Sequence, residues 1–130
     1  MENTYTNVRP VLSFGTALQM IGEQVELDGL IAEAEDLSTV GMYREIARIA
    51  ADVYTRRWDG PVVVDGEEVT YGYLQEIYKL LDCRHVEYVL ERLREYPREI
   101  RNKKAFIRTM LVNSVFEMET AYENEFNTGT

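Results

Sequence analysis

Apolar residues recur at the 3.6-residue spacing of a helix through most of the chain. A first short helix is predicted over residues 25–34, and a longer one from Ser38 or Thr39, either of which can cap its first turn, to about Arg57. The apolar faces are Leu27, Leu30 and Ile31 in the first helix and Tyr43, Ile46, Ala47, Ala50, Val53 and Tyr54 in the second. Residues 58–61, Trp-Asp-Gly-Pro, end the longer helix because Gly and Pro interrupt helical structure.

A short β-hairpin is predicted near residues 62–69. The dipeptide Asp-Gly at residues 65–66 suits a two-residue type I′ turn, in which both turn residues take positive φ angles. The register that follows from this turn pairs Val62 with Val69 and Val64 with Glu67. Because a two-stranded ribbon is marginally stable alone in water, we expect it to pack against a helix.

Three further helices are predicted, each preceded by a side chain that can cap it. The caps are Thr70, Asp82 and Asn102, and the helices that follow them run to about Leu81, Tyr96 and Asn113. The inward-facing residues are Leu74, Ile77, Tyr78 and Leu81 in the first helix and Val86, Val89, Leu90 and Leu93 in the second. The second ends before Pro97, and after the third the apolar pattern resumes with Val115, Phe116, Tyr122 and Phe126.

These elements predict a mostly α fold, a compact multi-helix domain with one short hairpin. Residues 1–24 show no sustained period and are predicted to form an N-terminal tail or arm. The helical domain is predicted over residues 25–126, with residues 127–130 as a C-terminal tail. A chain of 130 residues agrees with this division, since one domain commonly takes about 100–200 residues.

The charge of the chain opposes nonspecific nucleic-acid binding by the domain as a whole. It carries 14 basic and 23 acidic residues, a net charge of −9. No apolar run approaches the ~18 residues of a membrane span, so we expect no membrane partner. The N-terminus lacks an apolar signal core, and the one cysteine, Cys83, suits a reducing compartment. We therefore expect a cytoplasmic protein.

The residues that usually perform catalysis are scarce. His85 is the only histidine, and two-residue spacing on a helix does not bring Cys83 and His85 face to face. We expect Cys83 to be a small, partly buried residue at a helix start and His85 to face solvent or a polar rim. Gly-rich phosphate-binding loops are absent from the sequence. The sequence therefore predicts no enzyme, no catalytic, cofactor-binding or metal-binding residues, and no cofactor.

A basic island, residues 98–113, stands out in this acidic chain with five bases against one acid. Bases at a helix start oppose the helix dipole, which suggests a bound anion; the alternative is a solvated first turn and loop. The predicted nucleic-acid-binding residues are Arg98, Arg101, Lys103, Lys104, Phe106 and Arg108. For Phe106 we expect a core position, with base stacking as the alternative.

The nine tyrosines provide a second set of residues that can stack on bases. Five of them fall on or beside apolar stripes and are expected in the core: Tyr43, Tyr54, Tyr71, Tyr78 and Tyr122. Tyr88 and Tyr96 are the candidates for an exposed surface.

Four segments resemble a known family in their order and spacing. They are residues 23–31 (EQVELDGLI), the predicted hairpin, residues 85–90 (HVEYVL) and residues 100–113 (IRNKKAFIRTMLVN). Together they resemble the C-terminal DnaD-like domain of plasmid and conjugative-element replication initiator A proteins, relatives of the DnaD/DnaB primosomal family. The resemblance covers roughly residues 23–120.

The resemblance implies a helical accessory module in replication initiation of a mobile element. It would act through contacts with replication or helicase-loading proteins and through weak single-stranded DNA binding, and a homo-oligomer is compatible with it. The primosomal relatives carry an aromatic residue, an isoleucine and a tryptophan in a DNA-binding motif, and the matching positions here hold Phe106, Met110 and Asn113.

The acidity of the chain supports a different hypothesis. A small acidic protein can present carboxylates where DNA phosphates would sit, as an anti-defence inhibitor of a basic host nuclease or DNA-binding protein. Its active surface would be the acidic N-terminal and C-terminal segments.

Overall fold

The computed structural model describes the backbone of residues 11–128 and the side-chain environment of residues 11–119. In the described part of the chain the fold is mostly α with one short antiparallel hairpin, as predicted, and it contains six helices. The elements are α1 (Phe14–Gln24), α2 (Leu27–Glu33), α3 (Leu37–Asp52), a 3-10 turn (Val53–Thr55), β1 (Pro61–Val64), β2 (Glu67–Thr70), α4 (Tyr71–Tyr78), α5 (Cys83–Glu95) and α6 (Lys103–Thr128). No helix in the described part of the chain is both long and apolar enough to cross a membrane.

The folded core begins before residue 25, which corrects the predicted tail over residues 1–24. Ser13 caps α1, because its hydroxyl accepts a hydrogen bond from the Thr16 amide. Ala17 and Ile21 are 0% and 1% exposed, and α1 packs against α3. The buried stripe of α1 is only one residue wide per turn, so its periodicity is weak in the sequence. The prediction for residues 1–10 lies outside the described residues.

The link between α1 and α2 is a tight turn of two residues. Glu26 takes a left-handed conformation with φ 56°. This conformation costs about 1–2 kcal/mol for a residue other than glycine. Packing of the helices on both sides must offset that cost, and Val25 and Leu30 are both buried in the core.

The helix α3 lies at the centre of the fold and contacts α1, α2, α5 and α6. Its cap is Asp36, whose carboxylate accepts from the Thr39 amide at 2.8 Å, rather than Ser38 or Thr39 as predicted. Thr39 is instead buried and accepts a hydrogen bond from Arg94. The predicted apolar stripe is confirmed, because all six of its residues are buried: Tyr43, Ile46, Ala47, Ala50, Val53 and Tyr54.

The hairpin has the predicted register. Val62 pairs with Val69 and Val64 with Glu67, and the turn residues Asp65 and Gly66 have φ angles of 53° and 82°. Val62 and Val64 are buried, and β1 contacts α6. The ribbon therefore packs against a helix, as its size requires.

The helices α4 and α5 begin at their predicted caps, Thr70 and Asp82. His85 corrects a prediction, because its side chain is buried rather than facing solvent. Its Nδ1 accepts a hydrogen bond from the Asp82 amide at 2.9 Å. Asp82 and His85 thus cap α5 reciprocally, which a sequence search for Glu or Gln at the third helical position overlooks.

The helix α6 continues without interruption through the predicted end at Asn113. Asn102 caps it as expected, since its side chain accepts from the Ala105 amide at 3.1 Å. Ile107, Leu111 and Val115 lie in the core at helical spacing. Residues 127 and 128, predicted to be part of a tail, are the last residues of this helix.

Replacing Ile21 with Ala tests the position of α1 in the core. We expect a loss of roughly 2–5 kcal/mol in the free energy of unfolding, measured by urea denaturation, because the side chain is fully buried. Gln19→Ala, at an exposed position of the same helix, should change the stability by less than about 0.5 kcal/mol. Equal, small effects for both variants would place α1 outside the core.

Candidate nucleic-acid interface

The six predicted nucleic-acid-binding residues lie at the start of α6 and on the loop before it. Arg98 and Arg101 are exposed on the loop, and Lys103 and Lys104 are exposed in the first helical turn. Phe106 and Arg108 are partly buried. The predicted island is therefore accessible at four of its five bases.

Two ion pairs place the first turn of α6 alongside α3. The Lys103 Nζ lies 2.9 Å from a carboxylate oxygen of Glu45, and the Lys104 Nζ lies 3.1 Å from one of Asp52. Glu45 and Asp52 are seven residues apart, two turns of the same helix face. The basic island thus faces one side of α3.

This side of α3 carries additional arginines. Arg44, Arg48 and Arg56 are exposed and recur at four-residue intervals, together with Asp52. We call the combined set the basic surface: Arg44, Arg48 and Arg56 with Arg98, Arg101, Lys103, Lys104 and Arg108. It brings together eight bases and only three acids, Glu45, Asp52 and Glu99, in a chain whose net charge is −9.

The three α3 arginines were missed at the sequence level. Their spacing already indicates one solvent-facing stripe of α3. The contact between this stripe and the basic island, about fifty residues later in the chain, depends on tertiary packing. Local periodicity does not predict tertiary packing.

Asp52 is the electrostatic centre of the basic surface. Its carboxylate contacts Lys104, and also Arg56 at 3.3 Å. Partial burial raises the pKa of Asp52, but the hydrogen bonds and charges of Lys104 and Arg56 outweigh that effect and hold the pKa below its ordinary 3.8. Asp52 is therefore ionised at neutral pH and neutralises part of the surface.

Arg108 is the one base of the island that the core holds in place. Its carbonyl accepts a hydrogen bond from the hydroxyl of buried Tyr78 at 3.0 Å. Its Nε is buried and has no hydrogen-bond partner in the described part of the chain. A buried donor without an acceptor costs roughly 1–3 kcal/mol.

Phe106 lies at the edge of the basic surface, which corrects its predicted core position. It precedes the buried residue Ile107 and so points away from the core stripe. Its ring meets that of Tyr96 edge to face, with centroids 4.8 Å apart and an interplanar angle of 73°. Tyr96 is 43% exposed, so one ring of this pair is accessible beside the bases.

The remaining tyrosines largely follow the prediction. Tyr43, Tyr54 and Tyr78 are buried, and Tyr71 is partly buried against the core. Tyr88, a predicted candidate for an exposed surface, is instead partly buried against the core, and its hydroxyl donates to a carboxylate oxygen of Glu117. The prediction for Tyr122 lies outside the residues whose side chains are described.

The structure offers little for metal or thiol chemistry where it is described. Among the described residues, no group of three His, Cys, Asp or Glu side chains is arranged to hold a metal ion. Burial and the nearby carboxylates of Glu26, Asp82 and Glu87 raise the pKa of the Cys83 thiol. A raised pKa keeps the thiol protonated and weakens it as a nucleophile.

Comparison of the chain with models of known families, with curated proteins and with solved structures finds no match. The resemblance to the DnaD-like domain of replication initiators stays a prediction.

The charge of Asp52 should stabilise the fold in a pH-dependent way. Because its pKa is lowered in the folded protein, its contribution is present above the unfolded value and is lost as the pH falls through the folded pKa. Asp52→Asn should cost up to about 1 kcal/mol of unfolding free energy near pH 7. The difference from wild type should shrink when urea denaturation is repeated at about pH 2. A difference that grows on acidification would contradict the assigned ion pairs.

Proposed function

We propose that this domain is a non-enzymatic accessory module in DNA replication initiation of a mobile element. It acts by protein–protein contacts and contacts single-stranded DNA weakly through the basic surface. The observation that carries the DNA contact is the convergence of two separate basic segments beside the ring pair of exposed Tyr96 and partly buried Phe106. Cationic grooves with aromatic platforms are how proteins bind single strands without sequence preference.

The same geometry explains why the contact is weak. Glu45 and Asp52 hold three of the eight bases in ion pairs, so a phosphate must compete with these carboxylates for Lys103, Lys104 and Arg56. The net charge of −9 adds a long-range repulsion. Protein–protein contacts therefore dominate the proposed role.

The replication role rests on the sequence resemblance over roughly residues 23–120. Its expected partners are replication or helicase-loading proteins. Affinity capture from host extract tests this part, and recovery of primosome or helicase components supports it.

A second candidate is an acidic inhibitor of a basic host nuclease or DNA-binding protein. The observation that favours it is the charge of residues 11–43, which contain six acids and no Lys or Arg. All six carboxylates are exposed: Glu23, Glu26, Asp28, Glu33, Glu35 and Asp36. Recovery of a basic nuclease in the same capture experiment, with loss of its activity on DNA, favours this candidate over the first.

Replacing Lys103 and Lys104 with Ala should weaken binding of a fluorescent oligothymidine, measured by anisotropy. Each phosphate neutralised on a single strand contributes about −0.7 to the slope of log affinity against log salt, so the slope should flatten by roughly 1.4. The matched variant Lys79→Ala/Arg84→Ala removes two bases outside the basic surface and should keep the wild-type slope. Wild-type protein without affinity for the strand at low salt would refute the DNA contact.

Removing the competing carboxylates should strengthen the same interaction. Each exposed ion pair contributes about 0.2–1 kcal/mol, so Glu45→Gln/Asp52→Asn should raise oligothymidine affinity roughly 2- to 30-fold. Glu67→Gln/Glu68→Gln removes the same charge from the exposed hairpin and isolates the effect of net charge. Equal gains for the two double variants would show that Glu45 and Asp52 do not compete with phosphate.

A further inference from the structure

An open groove of about 490 Å³ lies along α1 and is closed on one side by α2. Gly15, Leu18 and Gly22 line its α1 side, and Leu27 lines its α2 side. Three exposed carboxylates line it as well: Glu23, Glu26 and Asp28. The groove is thus partly apolar and acidic.

The groove follows one face of α1. Its α1 lining residues Gly15, Leu18 and Gly22 recur every three or four positions, adjacent to the buried stripe of Ala17 and Ile21. At 1.5 Å per residue the lined part of α1, from Gly15 to Glu23, is roughly 12 Å long, which matches about two turns of a second helix.

Gly15 leaves the backbone of α1 open along this face. A Cβ built at Gly15 meets no neighbouring atom within 4 Å, so packing in the described part of the chain does not require glycine there. Glycine is less favourable inside a helix than every residue except proline. Its effect is to let another backbone approach α1 closely.

We propose that this groove binds an amphipathic helix of a partner protein whose apolar stripe is flanked by Lys and Arg. An apolar floor along a helix is the usual receptor for such a segment. Charge complementarity selects a basic one, because residues 11–43 hold six acids and no base. The proposal deepens the protein–protein part of the proposed function and is independent of the DNA contact.

A second copy of this chain fits the groove less well. A symmetric dimer through this face would bring the carboxylates of two copies together. The basic surface of another copy lies on α3 and α6, and the apolar stripes of these helices are buried in their own core among the residues whose side chains are described. The exposed apolar residues there, Leu37 and Phe116, lie singly, so this part of the chain offers no continuous apolar stripe for Leu18 and Leu27.

The test uses a synthetic helix of about 18 residues with a leucine stripe flanked by lysines, titrated into the full chain labelled for NMR. We expect amide shift changes concentrated in residues 15–28. A peptide with the same leucines and glutamate in place of lysine should not bind.

Matched glycine variants separate the groove from nonspecific attraction. Gly15→Leu places a side chain in the groove and should weaken peptide binding at least about tenfold. Gly41→Leu fills an equally open position on α3 and should bind as wild type does. Gly15→Leu should keep the wild-type affinity for oligothymidine, because Gly15 lies on α1 and outside the basic surface, so failure of this proposal is distinguishable from failure of the DNA contact.

Matched charge variants test the rim. Glu23→Gln/Asp28→Asn should weaken lysine-peptide binding more than Glu67→Gln/Glu68→Gln does. Equal peptide affinity of Gly15→Leu and Gly41→Leu would overturn the proposal. So would shift changes centred outside residues 15–28, or concentration-dependent self-association that Gly15→Leu abolishes.

Discussion

The last carbonyls of an α-helix have no partner within that helix, and two helices of this protein end against neighbouring elements. Gln24, the last residue of α1, donates to the carbonyls of Tyr78 and Leu81 at 2.7 and 2.9 Å, where α4 ends. Gln75 of α4 is buried and donates to the carbonyls of Val53 and Arg56, just beyond α3. Side-chain amides of α1 and α4 thus satisfy carbonyls at the ends of α4 and α3. These hydrogen bonds hold the three helices against one another.

These bonds join the elements that carry the two functional surfaces. The Gln24 bonds attach α1, one wall of the acidic groove, to the end of α4. From there the Tyr78 hydroxyl reaches the Arg108 carbonyl on α6, which carries part of the basic surface. The groove and the basic surface are therefore connected through α4 by partly buried hydrogen bonds.

The parts of the fold that short-range rules govern could be predicted from the sequence. The hairpin register follows from the turn at 65–66. Asn102 caps α6 because it directly precedes the helix and its side chain can accept from an amide of the first turn. The helix α1 was not predicted, because its buried stripe is narrow and its decisive contact joins Gln24 to carbonyls more than fifty residues away. The bases at 98–108 were found as a run of charge, whereas the contribution of α3 to that surface depends on tertiary contacts.

The unbroken course of α6 restricts how this region can change in length. Its first turn pairs with α3 through Lys103 and Lys104, while its middle is fixed in the core by Leu111. Each residue of a helix advances the side chains by about 100°, so a one-residue insertion between these points would rotate the lysines away from their carboxylates. Insertions and deletions are accordingly disfavoured between residues 104 and 111, whereas the exposed loop before residue 102 can absorb them.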